Sequence, residues 1–223
     1  MKGPAIASVN TTAPLQSATA NQRRKRMNLP NKLTISRFVL TLAFLAAIFS
    51  EIPYHETLAL LLFSAASLTD YYDGKIARRD KLITNFGILM DPLADKIMVC
   101  SAFIAFVGLA WIPAWMVVII VARELAITGL RLLAASKNVV LAAERYGKHK
   151  TISQIVAIIS ILVVASYSQW GSLGKALFGW HLFDDSPWSV SFRDAAKWLA
   201  VLLTFVSGWL YLWRNRALYL QDL

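Results

Sequence analysis

The sequence is poor in cysteine and poor in charge. Its 223 residues include one cysteine, Cys100, which excludes an internal disulfide bond. Charged residues make up only 16%, whereas 57% of the chain is hydrophobic and the mean hydropathy is +0.52. A soluble domain is roughly 45–50% apolar, and a chain of this length cannot hide so much apolar surface from water. We therefore expect the lipid bilayer to solvate much of the protein.

Acidic residues are also scarce beside basic ones. The chain has 13 Asp and Glu against 23 Lys and Arg, a formal net charge of +10. The basic residues lie between apolar runs, which favours an anionic membrane surface over nucleic acid as the partner. Residues 1–27 are polar and end in a basic cluster, which predicts a disordered tail and not a signal peptide. We expect one membrane domain over 28–216 and a short C-terminal tail over 217–223.

Six segments have about the length that a transmembrane helix needs. They are 33–52, 57–78, 87–109, 113–135, 150–168 and 195–213. The longer link, 169–194, is predicted to be a polar or interfacial loop. With the N-terminus inside, only Lys175, Arg193 and Lys197 of the basic residues fall outside, as the positive-inside rule requires. The sequence thus predicts an all-α integral membrane protein with six transmembrane helices around a cytoplasm-facing polar cavity.

Four aspartates interrupt this apolar sequence at helical spacings. They are Asp70, Asp73, Asp91 and Asp95. An ionised carboxylate near hydrocarbon is costly, but residues three or four apart share a helix face and can surround one cation or a pair. Small residues at positions 74, 77 and 87 allow the two helices to approach closely. Oxygen ligands without His or Cys favour Mg²⁺ or Mn²⁺, typically bound together with substrate phosphates, so the pattern predicts phosphoryl or phosphatidyl transfer.

The stretch from Asp70 to Asp95 resembles the signature of the CDP-alcohol phosphatidyltransferase family, D-x2-D-G-x2-A-R-x8-G-x3-D-x3-D, at every fixed position. The resemblance covers most of residues 28–213. It implies that Asp70, Asp73 and Asp91 bind the metal. It also implies that Asp95 lies at the same site and is the general base that deprotonates the attacking alcohol.

The same resemblance implies a binding site for CDP-diacylglycerol. Its residues would be Gly74 and Arg78 at the pyrophosphate, with Thr84 as a further contact, and Asn31, Thr34 and Arg37 on the cytidine side. The planar fork of Arg78 suits a phosphate. Asn31 and Thr84 also fit the role of helix caps.

A second basic region points to the acceptor. Arg123 and Arg131 lie eight apart on one predicted helix, and Lys148 and Lys150 lie at the start of the next. Together they can form a cationic pocket for a phosphate-bearing alcohol, and the similarity of these two strings to bacterial members of the family implies sn-glycerol 3-phosphate. The alternatives are that the arginines snorkel or pair with Glu124, and that the lysines only follow the positive-inside rule. Lys96, about 100° around the helix from Asp95, is expected to face lipid headgroups.

Other functions stay open at this point. Within the family the acceptor could be inositol phosphate, or phosphatidylglycerol as in a cardiolipin synthase. A divalent-cation transporter would also place aspartates in a membrane, although transporters tend to have repeated halves and this sequence shows none. The family resemblance further implies a homodimer in the cytoplasmic membrane of a bacterium, with membrane lipids and no nucleic acid as partners.

Overall fold

The computed structural model describes residues 29–80, 85–137, 139, 141, 146–181 and 186–220. Within these ranges the regular structure is helical and no strand is formed, so the predicted all-α class is confirmed. The helices are α1 (Leu29–Ile48), α2 (His55–Asp80), α3 (Asn85–Gly108), α4 (Ala114–Ser136), α5 (Tyr146–Ser166), α6 (Gly171–Phe178), α7 (Trp188–Arg214) and α8 (Arg216–Leu220).

Each predicted spanning segment coincides with a long helix. Helices α1 to α5 and α7 have between 20 and 27 residues, and their ends differ from the predicted ones by at most a few residues except at the start of α7. In the described part of the chain, two stretches are long and apolar enough by themselves to cross a membrane, His149–Phe178 and Trp188–Arg214. A shorter apolar stretch covers Ile35–Ile48. The number of membrane crossings therefore remains a prediction.

The prediction of a loop over 169–194 is wrong in part. A 3₁₀ turn, Tyr167–Trp170, follows α5 and leads into α6, and α7 already begins at Trp188. Gly171 has a φ of 67°, a left-handed conformation that glycine adopts without steric cost, and this redirects the chain into α6. The indole Nε1 of Trp188 donates a hydrogen bond to the Leu177 carbonyl at 3.0 Å. Tertiary contacts of this kind add helix at both ends of the segment, and local composition does not reveal them.

The main core lies between α1, α2, α3, α4, α5 and α7. Helix α1 packs on α2 and α3, and α5 packs on α2 and α7. Phe44 and Phe63 meet with ring centroids 5.8 Å apart, and Phe103 and Phe106 pack edge to face at 6.5 Å. Buried alanines accompany these rings and let the helix backbones come close, as in membrane proteins.

A smaller core joins α4, α7 and α8. It contains Ile127, Leu130 and Tyr211, with Leu218 of α8 packed against it. The Lys137 ammonium group donates a hydrogen bond to the Leu218 carbonyl at 3.0 Å. The first residues of the predicted C-terminal tail are thus helical and tied to the end of α4.

Large apolar side chains cover the outside of the bundle. Several of them are more than 60% exposed: Leu42, Leu61, Val118, Leu125 and Leu132. They lie on α1, α2 and α4. Soluble monomers rarely expose apolar surface over so many elements, and this is the surface that a lipid environment would cover.

Candidate active site

The structure places the four aspartates on two helices. Asp70 and Asp73 lie in the C-terminal half of α2, and Asp91 and Asp95 lie in the first half of α3. Because both segments are helical, the spacings of three and four residues do place the members of each pair on one helix face. The side chain of Asp95 is half-buried, while the side chains of the other three aspartates are not described. Among the side chains that the structure describes, no three of the His, Cys, Asp or Glu type meet, so the metal site stays a prediction.

The residues predicted to hold CDP-diacylglycerol are described to different extents. Gly74 and Arg78 belong to α2, and Asn31 and Thr34 belong to α1, but the side chains of Arg78, Asn31 and Thr34 are not described. Thr84 lies outside the described residues. Since α1 begins at Leu29, Asn31 is its third residue and does not precede the helix as an N-cap would.

Arg37 is the described member of this group. Its side chain is 1% exposed, within α1, and its carbonyl accepts a hydrogen bond from the Thr41 hydroxyl at 2.8 Å. A buried guanidinium inside an apolar helix marks a polar interior, because burial of that charge in hydrocarbon is costly. This position agrees with a role inside the bundle.

A buried ion cluster lies between α4 and α5. Glu124 and Lys150 are 6% and 5% exposed, and the Lys150 ammonium group contacts Glu124 Oε1. Nη1 of Arg123 lies 3.3 Å from the same carboxylate oxygen. Lys150 also interacts electrostatically with Asp95 of α3. The structure therefore brings two of the four predicted acceptor-binding cations together, with Lys150 within electrostatic range of the predicted base.

Lys96 extends this cluster towards α3, and its predicted position at the lipid headgroups is wrong. Its ammonium group donates a hydrogen bond to the Thr128 hydroxyl, and that hydroxyl donates to the Glu124 carbonyl at 2.7 Å. Lys96 is the chain neighbour of Asp95. The polar contact between α3 and α4 thus lies next to the predicted base.

Arg123 is held from two sides. Its aliphatic stem runs over Gly208 of α7, where a Cβ atom would lie only 2.7 Å from Arg123 Cγ. Its Nε is buried and meets no hydrogen-bond partner among the described residues. An arginine has five N–H donors, so the contact with Glu124 leaves donors for a ligand. The alternative that Arg123 pairs with Glu124 is thus correct, but the pair does not use the whole guanidinium.

Arg131 lies apart from this cluster. It is exposed, and its Nε donates a hydrogen bond to the Tyr211 hydroxyl at 3.5 Å, with the guanidinium 5.8 Å from the ring centroid. Its Cα atom lies about 12 Å along α4 from that of Arg123, and its guanidinium contacts Tyr211 and not the carboxylate of Glu124. Lys148 lies in the first turn of α5, and its side chain is not described.

Glu124 and Thr128 are the residues that sequence reasoning missed as members of the site. The sequence indicates Glu124 only as an alternative partner of Arg123 and Arg131. The signal in the sequence is an acidic residue inside an apolar helix, because burial of an unpaired carboxylate there is costly. Thr128 lies one turn later on the same helix face. Nothing local indicated that Lys150, 26 residues away, is the second partner.

The chain is similar to known proteins over most of its length. The sequence model described as CDP-alcohol phosphatidyltransferase matches residues 27–206. The chain is 38% identical over 200 residues to the CDP-diacylglycerol--glycerol-3-phosphate 3-phosphatidyltransferase of Bacillus subtilis, covering 84% of this chain and 95% of that protein. It is 33% identical over 184 residues to the protein of the same name from Rickettsia bellii, covering 82% and 93%.

A third relative is named differently. It is the probable phosphatidylglycerophosphate synthase of Mycobacterium tuberculosis, 38% identical over 154 residues, which covers 68% of this chain and 73% of that protein. The family model spans well over half of the chain and includes the aspartate string, α1 and the buried ion cluster. The chain therefore belongs to the CDP-alcohol phosphatidyltransferase family.

Proposed function

We propose that this protein transfers the phosphatidyl group of CDP-diacylglycerol to sn-glycerol 3-phosphate, forming phosphatidylglycerophosphate and releasing CMP. The observation that carries the proposal is the agreement over 200 residues with a relative whose name states this donor and this acceptor. The signature from Asp70 to Asp95 adds the family's reactive site, since every fixed position is present. The reaction belongs to the synthesis of membrane phospholipids.

The buried ion cluster supports an acceptor that carries a phosphate. Arg123 and Lys150 meet at Glu124, Lys150 lies within electrostatic range of Asp95, and each cation has more donors than its contact with Glu124 uses. Charge-assisted hydrogen bonds to phosphate are among the strongest that a protein makes. An uncharged alcohol such as glycerol would leave these donors without a suitable partner. We place Arg131 and Lys148 at the cytoplasmic edge of the same pocket.

The proposed chemistry is a displacement at phosphorus. Asp95 accepts the proton of the acceptor hydroxyl, whose oxygen bonds to the phosphatidyl phosphorus while the bond to the CMP oxygen breaks. We assign the pyrophosphate to Gly74, Arg78 and Thr84, and the cytidine side to Asn31, Thr34 and Arg37.

A divalent cation fits the donor set at this site. The carboxylates at positions 70, 73, 91 and 95 are hard oxygen ligands on two helices, of the kind that Mg²⁺ and Mn²⁺ prefer. Bound there, one or two such ions would neutralise the charge that develops on the pyrophosphate.

We also propose the setting of the reaction. Six crossings by α1 to α5 and α7 would place the aspartates and the ion cluster towards the cytoplasm, with the N-terminus on the same side, in the inner membrane of a bacterium. The distribution of basic residues and the apolar outer faces of α1, α2 and α4 support this topology. Residues 28–216 would form the catalytic domain, and family resemblance supports a homodimer.

The test is an assay of the purified full-length protein in detergent micelles with CDP-diacylglycerol and Mg²⁺, following CMP release. Glycerol, sn-glycerol 3-phosphate, inositol phosphate and phosphatidylglycerol are offered in turn. We expect efficient release only with sn-glycerol 3-phosphate. Preferential use of one of the other three would contradict the proposed acceptor. Mg²⁺ flux into proteoliposomes, without CMP release under any condition, would favour a cation transporter.

A further inference from the structure

We infer that Glu124 is a positioning residue of the acceptor site, which aims Arg123 and Lys150 at the phosphate of the acceptor. The inference rests on the proposed function, because it assigns these two cations to that phosphate. Glu124 itself carries the wrong charge to contact a phosphate. Its proposed role is exerted through the two cations that it touches.

The geometry supports this role. One carboxylate oxygen, Oε1 of Glu124, accepts hydrogen bonds from both the Lys150 ammonium group and Nη1 of Arg123. All three charged groups are largely shielded from solvent, with side-chain exposures of 8% for Glu124, 6% for Lys150 and 14% for Arg123. In such surroundings an ion pair is screened little, so removal of one member leaves a buried charge uncompensated and free to move.

The contact with Nη1 also determines which edge of Arg123 is available. A guanidinium binds phosphate through two neighbouring N–H groups, either the two Nη groups or Nε with one Nη. Glu124 occupies Nη1, while Nε is buried and has no hydrogen-bond partner among the described residues. The edge formed by Nε and the second Nη is therefore the one that remains for an oxyanion.

Glu124 also connects this pair of cations to the predicted base. Its backbone carbonyl accepts the Thr128 hydroxyl, which in turn accepts a hydrogen bond from Lys96 of α3. Lys96 follows Asp95 directly in the chain. One residue of α4 thus has polar links to α5 through its side chain and to α3 through its backbone. This arrangement aligns the acceptor's phosphate pocket with the group that deprotonates its hydroxyl.

The experiment is a double-mutant cycle on the full-length enzyme with Glu124→Gln, Lys150→Met and both changes together. KM values for sn-glycerol 3-phosphate and CDP-diacylglycerol, kcat and Tm are measured for each protein. For Glu124→Gln we expect the KM for sn-glycerol 3-phosphate to rise at least about tenfold, because this factor corresponds to the loss of one charge-assisted hydrogen bond to the phosphate. The KM for CDP-diacylglycerol should change less than about twofold.

The double variant separates positioning from simple charge compensation. If Glu124 acts in part through Lys150, the double variant has a higher Tm than Glu124→Gln alone, and its rise in the KM for the acceptor is smaller than the product of the two single rises. Glu51→Gln is the matched control, because it makes the same chemical change at an exposed acid between α1 and α2. It should leave Tm and both KM values at their wild-type levels.

Three results would overturn the inference. The first is a Glu124→Gln enzyme with a lowered Tm but an unchanged KM for the acceptor, which means that the carboxylate only stabilises the fold. The second is a double variant whose KM for the acceptor equals that of the wild type. The third is a double variant whose rise in this KM equals the product of the rises in Glu124→Gln and Lys150→Met. If Glu124→Gln does not fold, Glu124→Asp keeps the charge on a shorter stem and should raise the acceptor's KM by a smaller factor; an unchanged KM there counts equally against the inference.

Failure of the proposed function would look different. It would appear in the wild-type protein, as CMP release with another alcohol. If that alcohol carries a phosphate, the same cycle is measured with it and tests Glu124 in the same way. If it carries none, both the acceptor and the role of Glu124 are wrong.

Discussion

A methyl group added at Gly208 would test whether α7 holds Arg123 in place. A Cβ at this position would lie 2.7 Å from Arg123 Cγ and 3.6 Å from Arg123 Cβ. Carbon atoms attract one another best at about 3.5–4.0 Å, so Gly208→Ala requires the stem of Arg123 to move about 1 Å away from α7. The Cγ atom belongs to the stem of Arg123, and moving it draws Nη1 away from the Glu124 carboxylate, which is 3.3 Å distant.

The expected magnitude follows from two opposing effects. Overpacking of a buried contact costs about 1–3 kcal/mol. Replacement of glycine by alanine inside a helix returns about 0.5–1 kcal/mol, because glycine loses more backbone entropy on folding. We therefore expect a net loss of about 1–2 kcal/mol, a fall in Tm of several degrees for a chain of this size. Displacement of Arg123 by 1 Å should lower kcat/KM for sn-glycerol 3-phosphate about ten- to a hundredfold.

Gly129 offers the matched control within α4. A Cβ at this position meets nothing within 4 Å, so Gly129→Ala gains helix propensity without a clash. Thermal unfolding in detergent and steady-state kinetics would be compared for the two variants and the wild type. Gly129→Ala should be as stable as the wild type or slightly more so, with unchanged kinetics. A Gly208→Ala protein that matches Gly129→Ala in both Tm and kcat/KM would refute the close approach of α7 to Arg123.

Four further substitutions test the remaining assignments. Asp70→Asn should abolish CMP release without a loss of folding, since a carboxamide keeps the shape but not the charge that binds a cation; near-normal activity at saturating Mg²⁺ would remove Asp70 from the metal site. Asp95→Asn should lower kcat about 10²–10⁴-fold, because a general base usually contributes that factor, and it should change the KM for CDP-diacylglycerol little. A changed KM with a normal kcat would mean that Asp95 is a ligand and not the base. Arg131→Ala should raise the KM for sn-glycerol 3-phosphate and leave the KM for CDP-diacylglycerol unchanged. Tyr211→Phe retains the ring beside the guanidinium and should have a milder effect. A raised KM for CDP-diacylglycerol with an unchanged KM for the acceptor would place Arg131 at the donor.

Helix positions were largely predictable from the sequence, because long apolar runs are a local property of the chain. Every predicted spanning segment overlaps a helix, and the deviation is largest where tertiary contacts add helix. At the start of α7, the hydroxyl of Ser189 donates to the Phe178 carbonyl at 2.7 Å and ties the first turn to the end of α6. Such a contact joins residues from separate elements, so hydropathy in a window could not indicate it.

The family signature was predictable for the same reason. Its spacings refer to single helices, and a helix has a fixed period, so Asp91 and Asp95 share a face wherever the helix is placed. The positions of the four cations predicted to bind the acceptor were predictable only in part. Basic residues on two helices were identified, but their distribution between the buried cluster and the surface was not.

The residue types and the helical spacing of the stretch from Asp70 to Asp95 are therefore determined by the sequence alone. The high apolar content, which predicts a lipid environment, is also a property of the sequence. Tertiary structure decided which charges meet. Lys150 pairs with Glu124 and Lys96 bonds to Thr128, while Arg131 bonds to Tyr211, 80 residues away. Each of these contacts depends on the rotation and the axial offset of two packed helices. Those two quantities are set by the shapes of all the side chains between the helices, and no periodicity within one helix encodes them.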